Sequence, residues 1–111
     1  MIMRICISQL NPTIGAIEEN LKKILSEIAQ AKTQQVDLII FPEMAICGYC
    51  PDDLLLYASF IDSLQRALDA IIEASGSISI IIGTPRKAPN KNDKPLCNSA
   101  AIIDNGRLVG F

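Results

Sequence analysis

The hydrophobic positions of this chain follow two spacings, one typical of helices and one typical of strands. In two stretches the apolar residues recur at steps of three and four, which places them on one face of a helix. The first stretch contains Ile14, Ile17, Leu21, Ile24, Leu25 and Ile28, and the second contains Phe60, Leu64, Leu68, Ile71 and Ile72. We therefore expect two amphipathic helices whose apolar faces pack in a core.

Shorter apolar segments rich in β-branched residues lie around these stretches and predict strands. They cover residues 3–10, 36–41, 78–82 and 96–103, and a fifth segment begins at residue 107. Segment 36–41 is almost continuously apolar, which is typical of a strand covered on both faces. The predicted order is β-α-β-α-β-β, followed by the fifth segment, and the fold class is α/β.

Several residues carry the capping signals expected at helix ends. Asp52 and Asp53 are suited to cap the second helix, and Ser59 with Asp62 forms a pattern like a capping box. Gly76 is suited to the C-terminal cap of the same helix.

Glycine, proline and asparagine mark the turns between the strands. Residues 83–85 are predicted to close the third strand, and residues 86–95 form a polar loop with several basic side chains. A solvated loop is favoured over a phosphate site there, because no glycine-rich cradle accompanies the basic residues. Asn105-Gly106 is a strong hairpin signal.

Composition adds an expectation about location and about a missing cover. Half of the 111 residues are hydrophobic and the mean hydropathy is +0.31, yet no apolar run approaches the roughly 18 residues that span a bilayer. The N-terminus lacks the pattern of a signal peptide, so we expect a cytoplasmic protein with no membrane contact. The apolar surplus suggests a surface covered by further polypeptide or by a second copy.

The charged and titratable residues exclude several classes of site. A formal charge of −2 gives no reason to expect nucleic acid as a partner. The absence of histidine removes the usual general base and the commonest ligand of transition metals, so we expect no metal site. The four cysteines are expected to be free thiols.

The strongest candidate for chemistry is the stretch Phe41-Pro42-Glu43-Met44. Pro42 has no amide donor and is expected to stop the strand that precedes it. Glu43 then places a carboxylate just past the carboxyl end of a buried strand, where open α/β sheets usually hold their active sites. From its position alone, a solvated or ion-paired acid is the favoured interpretation of Glu43, and a catalytic acid or base is the alternative.

The loop after Glu43 offers a second interpretation, a thiol–disulfide redox site. Cys47 and Cys50 form a Cys-x-x-Cys motif between a strand and a helix, as in thioredoxin-like proteins. Thr84-Pro85 would then be the candidate cis-proline site. Asp52 and Asp53 argue against this interpretation, because two acids beside the thiols would raise the thiol pKa values.

Ordered motifs along the whole chain resemble the nitrilase (carbon–nitrogen hydrolase) superfamily, and most of all the glutaminase domain of glutamine-dependent NAD synthetase. The matching residues are Gln9, Asn11, Pro12, Gly15, Asn20, Asp37-Leu38-Ile39-Ile40, Phe41-Pro42-Glu43, Gly48-Tyr49, Asp53-Leu54-Leu55, Asn98-Ser99-Ala100 and Asp104-Asn105-Gly106. Cys47 and Cys50 depart from the pattern. The fold that the resemblance implies is the α-β-β-α sandwich, of which residues 1–111 would supply the first strands and one helical layer.

The resemblance also implies a function. The superfamily uses a Glu-Lys-Cys triad, of which only the Glu is carried over, onto Glu43 as general base. That role would require the carboxylate to be enclosed in an apolar, water-poor site. The Lys and Cys are expected beyond Phe111, so none of Cys6, Cys47, Cys50 and Cys97 is expected to be the nucleophile. Tyr49 is a weak candidate for substrate contact.

The expected substrate is glutamine, whose ammonia would pass to an ATP-dependent NAD synthetase domain. The expected partners are the rest of the hydrolase domain, that synthetase domain with its ATP and Mg²⁺, and further copies in a homo-oligomer. No cofactor is expected within these residues. The chain stops in a hairpin strand, which predicts a truncated and inactive fragment. A non-catalytic remnant that only assembles with other chains is the third interpretation.

Overall fold

A computed structural model describes residues 2–90 and 94–111. Five strands and two α-helices form in the order that the hydrophobic pattern predicts. The elements are β1 (Ile5–Ile7), α1 (Ile17–Thr33), β2 (Leu38–Ile40), a short 3-10 helix (Asp52–Leu56), α2 (Ala58–Ser75), β3 (Ser79–Lys87), β4 (Leu96–Asp104) and β5 (Arg107–Gly110). The two helices follow β1 and β2, so each crosses over between parallel strands.

The strands form one mixed sheet in the order β1-β2-β3-β4-β5. The first three strands are parallel, and β4 and β5 add to them as antiparallel neighbours. Asn105 and Gly106, with φ angles of 52° and 74°, form the tight turn between β4 and β5. Such a turn requires positive φ at both central residues, and the predicted hairpin is confirmed.

One face of the sheet carries both helices and holds the core. Alternate strand residues point to this face, and those in the middle of the sheet are buried against apolar residues of the helices. The largest buried apolar side chains are Ile24, Ile28, Ile39, Ile46, Leu64, Leu68, Ile71, Ile80, Ile82 and Ile103. The two helical stripes therefore serve as core, as their spacing predicts.

The opposite face of the sheet is apolar and uncovered in the described residues; we call it the open face. Ile7, Ile40, Ile81 and Ile102 stand in register across four strands and form one row on it. At the two ends of the row, Ile7 is 72% and Ile102 is 41% exposed. The prediction that β2 is covered on both faces thus holds on the helical side only.

The first helix begins later than the apolar spacing predicts. Ile14 is exposed and lies outside the helix, because the chain turns at Gly15, whose φ is +76°. The Gly15 amide donates to the carbonyl of Cys47 (2.8 Å), which fixes this turn before α1 can start at Ile17. Ile14 was thus wrongly assigned to the stripe.

The caps of the second helix are only partly as predicted. Tyr57 is the N-cap residue of α2 and makes no side-chain capping hydrogen bond, so the capping box of Ser59 with Asp62 is wrong. Asp52 and Asp53 belong to the 3-10 helix, which also has no side-chain cap. Gly76 takes the C-cap position with φ of 58°, as predicted.

The third strand does not close at residues 83–85 but continues to Lys87. Thr84, Pro85 and Arg86 pair with β4, whereas β2 has already ended at Ile40. At Pro85 the strand has only one paired neighbour, so a residue without an amide donor is tolerated. The predicted polar loop is therefore shorter than 86–95, and its residues 91–93 lie outside the described part.

Candidate active site

The backbone around Glu43 is held tightly against the third strand. The Phe41 amide donates to the carbonyl of Ile81 (2.8 Å), which extends the contact of β2 with β3 by one residue. Beyond it, the Gly83 amide donates to the Pro42 carbonyl (3.3 Å), and the Ala45 amide donates to the Gly83 carbonyl (3.0 Å). Glu43 therefore lies between two backbone anchors, just past the carboxyl end of β2 as the sequence predicts.

Gly83 allows this close approach because it has no side chain. A Cβ built on Gly83 would lie 2.6 Å from the Glu43 Cα and 2.7 Å from both the Met44 amide nitrogen and the Pro42 oxygen. Real Cβ atoms do not come this close to backbone atoms, so any larger residue would displace the segment that carries Glu43. The sequence predicts only a turn at Gly83.

The Glu43 side chain contacts Asn98, a residue of β4. The Asn98 Nδ2 donates to Glu43 Oε1 at 2.6 Å. Ala101 and Ile103 of β4 point into the core, so Asn98, an odd number of positions away from each, points to the open face. The carboxylate thus lies on the side of the sheet that the described residues leave uncovered.

Glu43 is exposed in the described structure. The apolar, water-poor enclosure expected around this carboxylate is therefore not formed by residues 2–90 and 94–111. The physical reason is that helices cover only the other face of the sheet.

A buried asparagine supports the loop that follows Glu43. Asn20 is fully buried, donates to the carbonyls of Thr13 (2.8 Å) and Ile46 (3.0 Å), and accepts from the Thr13 amide (2.8 Å). It therefore joins the loop before α1 to the loop after Glu43. The sequence pattern includes Asn20 but assigns it no role. Its structural role follows from its burial and its three hydrogen bonds.

The two loop cysteines are in environments that disfavour the thiolate. Burial raises the pKa of Cys47 to about 11, with a smaller contribution from the nearby Cys50. The Cys50 thiol donates to Asp52 Oδ1 (3.1 Å), and this hydrogen bond raises the pKa of Cys50. A redox pair of the thioredoxin type requires the opposite, a thiol whose pKa is lowered.

The remaining features of the redox interpretation are also absent from the described residues. Cys50 precedes a 3-10 helix of five residues and not the start of a long α-helix. The peptide bond between Thr84 and Pro85 is not cis, and it lies within the paired part of β3. All four cysteines are free. The redox interpretation of Cys47 and Cys50 is wrong.

The other sequence candidates remain as predictions. Tyr49 is 68% exposed beside the candidate site, and no described contact assigns it to substrate or to packing. Among the described residues, no three His, Cys, Asp or Glu side chains gather in the arrangement of a metal site. None of the helices described in residues 2–90 and 94–111 is long and apolar enough to cross a membrane.

Comparison with known proteins agrees with the motif pattern. The model of the family described as carbon-nitrogen hydrolase matches residues 4–110. A glutamine-dependent NAD(+) synthetase of Synechocystis sp. is 44% identical over an alignment of 108 positions that covers 94% of this chain and 19% of that protein. The chain thus spans about a fifth of the length of the curated relatives that it matches.

Solved structures show the same architecture. A glutamine-dependent NAD(+) synthetase from Cytophaga hutchinsonii superimposes with a TM-score of 0.87 at 27% identity, over 97% of this chain and 18% of that one. An amidase from Nesterenkonia sp. gives 0.79 at 23% identity, over 97% of this chain and 41% of that one, and supports the fold alone. The α/β class and its match to part of a nitrilase-type domain are confirmed. Since the family match covers residues 4–110, the chain belongs to the carbon-nitrogen hydrolase family.

Proposed function

We propose that this chain is the first part of a glutaminase domain in a glutamine-dependent NAD synthetase. Glu43 is the general base, and the nucleophilic cysteine and the triad lysine lie beyond Phe111. The observation that carries the proposal is the position of Glu43 in the Phe-Pro-Glu motif, anchored past the end of β2 with its carboxylate on the open face. A base at this position is directed toward the side from which the missing residues would approach.

The chemistry assigned to Glu43 is proton transfer from a thiol. The carboxylate takes the proton of the cysteine Sγ–H, and the thiolate attacks the carboxamide carbon of glutamine. The resulting oxyanion collapses, the C–N bond breaks, and ammonia leaves with the proton that Glu43 returns. Glu43 then takes a proton from the water that attacks the thioester. The C–S bond breaks, glutamate is released, and Glu43 returns the proton to the sulfur to restore the thiol. The sum is glutamine plus water giving glutamate plus ammonia.

The open face gives the missing polypeptide a place to pack. In an α-β-β-α sandwich a second sheet would cover the row from Ile7 to Ile102 and bury it. The same sheet would exclude water from Glu43, which is exposed in the described structure. One packing event would thus complete both the core and the site.

The rest of the activity belongs to parts of the complete protein outside these residues. A synthetase domain would take the ammonia and would bind the ATP and Mg²⁺ that drive formation of NAD. We also propose that the complete protein forms a homo-oligomer. Residues 1–111 alone would then bind no cofactor and catalyse no reaction.

The test uses the complete protein encoded by the gene of this chain, with Glu43→Gln. If Glu43 is the base, NAD synthesis supported by glutamine falls by about 100- to 10,000-fold, the usual contribution of a general base. Synthesis supported by added ammonium chloride stays unchanged, because that route bypasses the glutaminase step. Glu73→Gln, at an exposed position of α2, is the matched control and leaves both activities unchanged.

Two results would overturn the proposal. One is glutamine-supported synthesis that survives Glu43→Gln. The other is a gene that encodes no lysine and cysteine beyond Phe111 in a continued hydrolase domain, which would favour a non-catalytic remnant.

A further inference from the structure

The Glu43 carboxylate has a single hydrogen-bond partner among the described residues, the side-chain amide of Asn98. The Asn98 Nδ2 lies 2.6 Å from Glu43 Oε1, and the two residues are 55 positions apart in the sequence. Because a carboxylate can only accept, the amide must turn its NH₂ group toward it. A hydrogen bond to an ionised acceptor is also of the stronger class.

Both ends of this contact are attached to rigid backbone. Asn98 lies within β4, opposite Pro85 of β3. The backbone on either side of Glu43 is fixed to Gly83 by two hydrogen bonds. The backbone at both residues is fixed, and only the side-chain torsions of Glu43 can still change. The hydrogen bond from Asn98 restricts these torsions and so sets the direction of the carboxylate.

We propose that Asn98 is a positioning residue for amide hydrolysis. It holds Oε1 and leaves Oε2 free to take the proton of the attacking thiol. This inference rests on the proposed role of Glu43 as general base. Without the amide, the flexible glutamate side chain would occupy several rotamers, and a displacement of about 1 Å at a reacting group lowers the rate about 100-fold.

The experiment measures steady-state glutamine hydrolysis by the complete protein and its Asn98→Ala and Asn98→Asp variants. For Asn98→Ala, kcat falls about 10- to 100-fold, while KM for glutamine and the ammonia-supported synthesis of NAD stay unchanged. Asn98→Asp keeps the shape of the side chain but replaces the donor by a second carboxylate, and its kcat falls at least as much as that of Asn98→Ala. Asn98→Ser keeps a shorter donor and recovers part of the lost kcat.

A control variant on the same strand separates positioning from a general effect on the sheet. Ser99 is adjacent to Asn98, points to the helical face and accepts a hydrogen bond from Arg86 (3.1 Å). Ser99→Ala therefore disturbs β4 without touching Glu43, and its kcat equals that of the unchanged protein. Melting temperatures of all variants are measured alongside.

The outcomes distinguish the two proposals. If Glu43→Gln is inactive but both Asn98→Ala and Asn98→Asp keep full kcat, the role of Asn98 is overturned and that of Glu43 stands. Loss of kcat in step with the melting temperature, or equally in Ser99→Ala, also overturns the positioning role. If Glu43→Gln keeps its activity, the proposed function itself falls.

Discussion

Gly83 lies so close to Glu43 that a Cβ added to it would come within 2.6 Å of the Glu43 Cα. Gly83→Ala must therefore displace the backbone that carries the proposed base. We expect a loss of stability of about 1–3 kcal/mol, as for other overpacked sites. We also expect about 100-fold slower glutamine hydrolysis by the complete protein, because the carboxylate moves. Calorimetry and steady-state kinetics measure the two effects.

Gly110→Ala is the control for this prediction. A Cβ at Gly110 meets no described atom within 4 Å, so this variant keeps its stability in the isolated 111-residue chain. If Gly83→Ala behaves like Gly110→Ala, the close approach does not constrain Glu43.

Asn20 is predicted to stabilise the loop that follows Glu43. Asn20→Ala leaves the amide and carbonyl of Thr13 and the carbonyl of Ile46 without their buried partner. The Ile46 contact is buried, and one unsatisfied buried group destabilises a protein by about 1–3 kcal/mol, so the melting temperature should fall by several degrees. Asn11→Ala, at an exposed position, serves as the control. Equal melting temperatures for the two variants would contradict the structural role of Asn20.

The open face predicts a contrast between the complete protein and the isolated chain. Ile102→Lys should destabilise the complete protein by about 3–5 kcal/mol, because it places an unpaired charge in a covered apolar layer. In the isolated 111-residue chain the same side chain is 41% exposed, and the change should have little effect. Ala29→Lys, on the exposed side of α1, is harmless in both. Thermal unfolding followed by circular dichroism tests this prediction. If Ile102→Lys does not destabilise the complete protein, the open face is not covered there.

The cysteines give a prediction about pH. Because burial raises the Cys47 pKa from 9.0 to about 11, its thiolate forms only as the pH rises toward 11. Its alkylation by iodoacetamide at pH 8 should be about 100-fold slower than that of the unfolded chain, from the two-unit shift alone. Mass spectrometry of peptides measures the rate against pH. A plateau below pH 7 would instead indicate an activated thiol.

Cys50 offers a matched variant. Its pKa is raised by the hydrogen bond to Asp52, so Asp52→Asn should lower it and speed alkylation of Cys50 at pH 8. The backbone at residue 52 has φ of 44°, a conformation that asparagine tolerates. An unchanged or slower rate would contradict the assigned cause.

The sequence predicted the elements of this fold well and their ends less well. Apolar spacing predicted both helices, because burial on one side of a helix imposes its period on the chain. Short apolar segments and the Asn105-Gly106 turn predicted the five strands. The wrong ends have tertiary causes. Ile14 fits the helical spacing, but the contact of Gly15 with Cys47 turns the chain first. Pro85 suggests the end of a strand, but β3 continues past it. At Pro85, β3 pairs only with β4, because β2 has already ended, so a residue without an amide donor is tolerated.

The candidate site was predicted in part. Glu43 was identified because it follows a buried apolar strand within the Phe-Pro-Glu motif and the ordered pattern of matching residues. Asn98 was matched to the family pattern without a role, and Gly83 was placed only in a turn. The roles of both depend on strand register, which brings residues 55 and 40 positions away beside Glu43. The expected enclosure of the carboxylate is not formed by the described residues, because helices cover only the other face of the sheet.

The most direct test of the central claim uses a glutamine analogue that carries an alkylating group in place of the carboxamide. The complete protein is treated with it, and the labelled cysteine is located by mass spectrometry. The account predicts a label on one cysteine beyond Phe111, formed about 100- to 10,000-fold more slowly after Glu43→Gln. A label on Cys6, Cys47, Cys50 or Cys97, or an unchanged rate in Glu43→Gln, would contradict it.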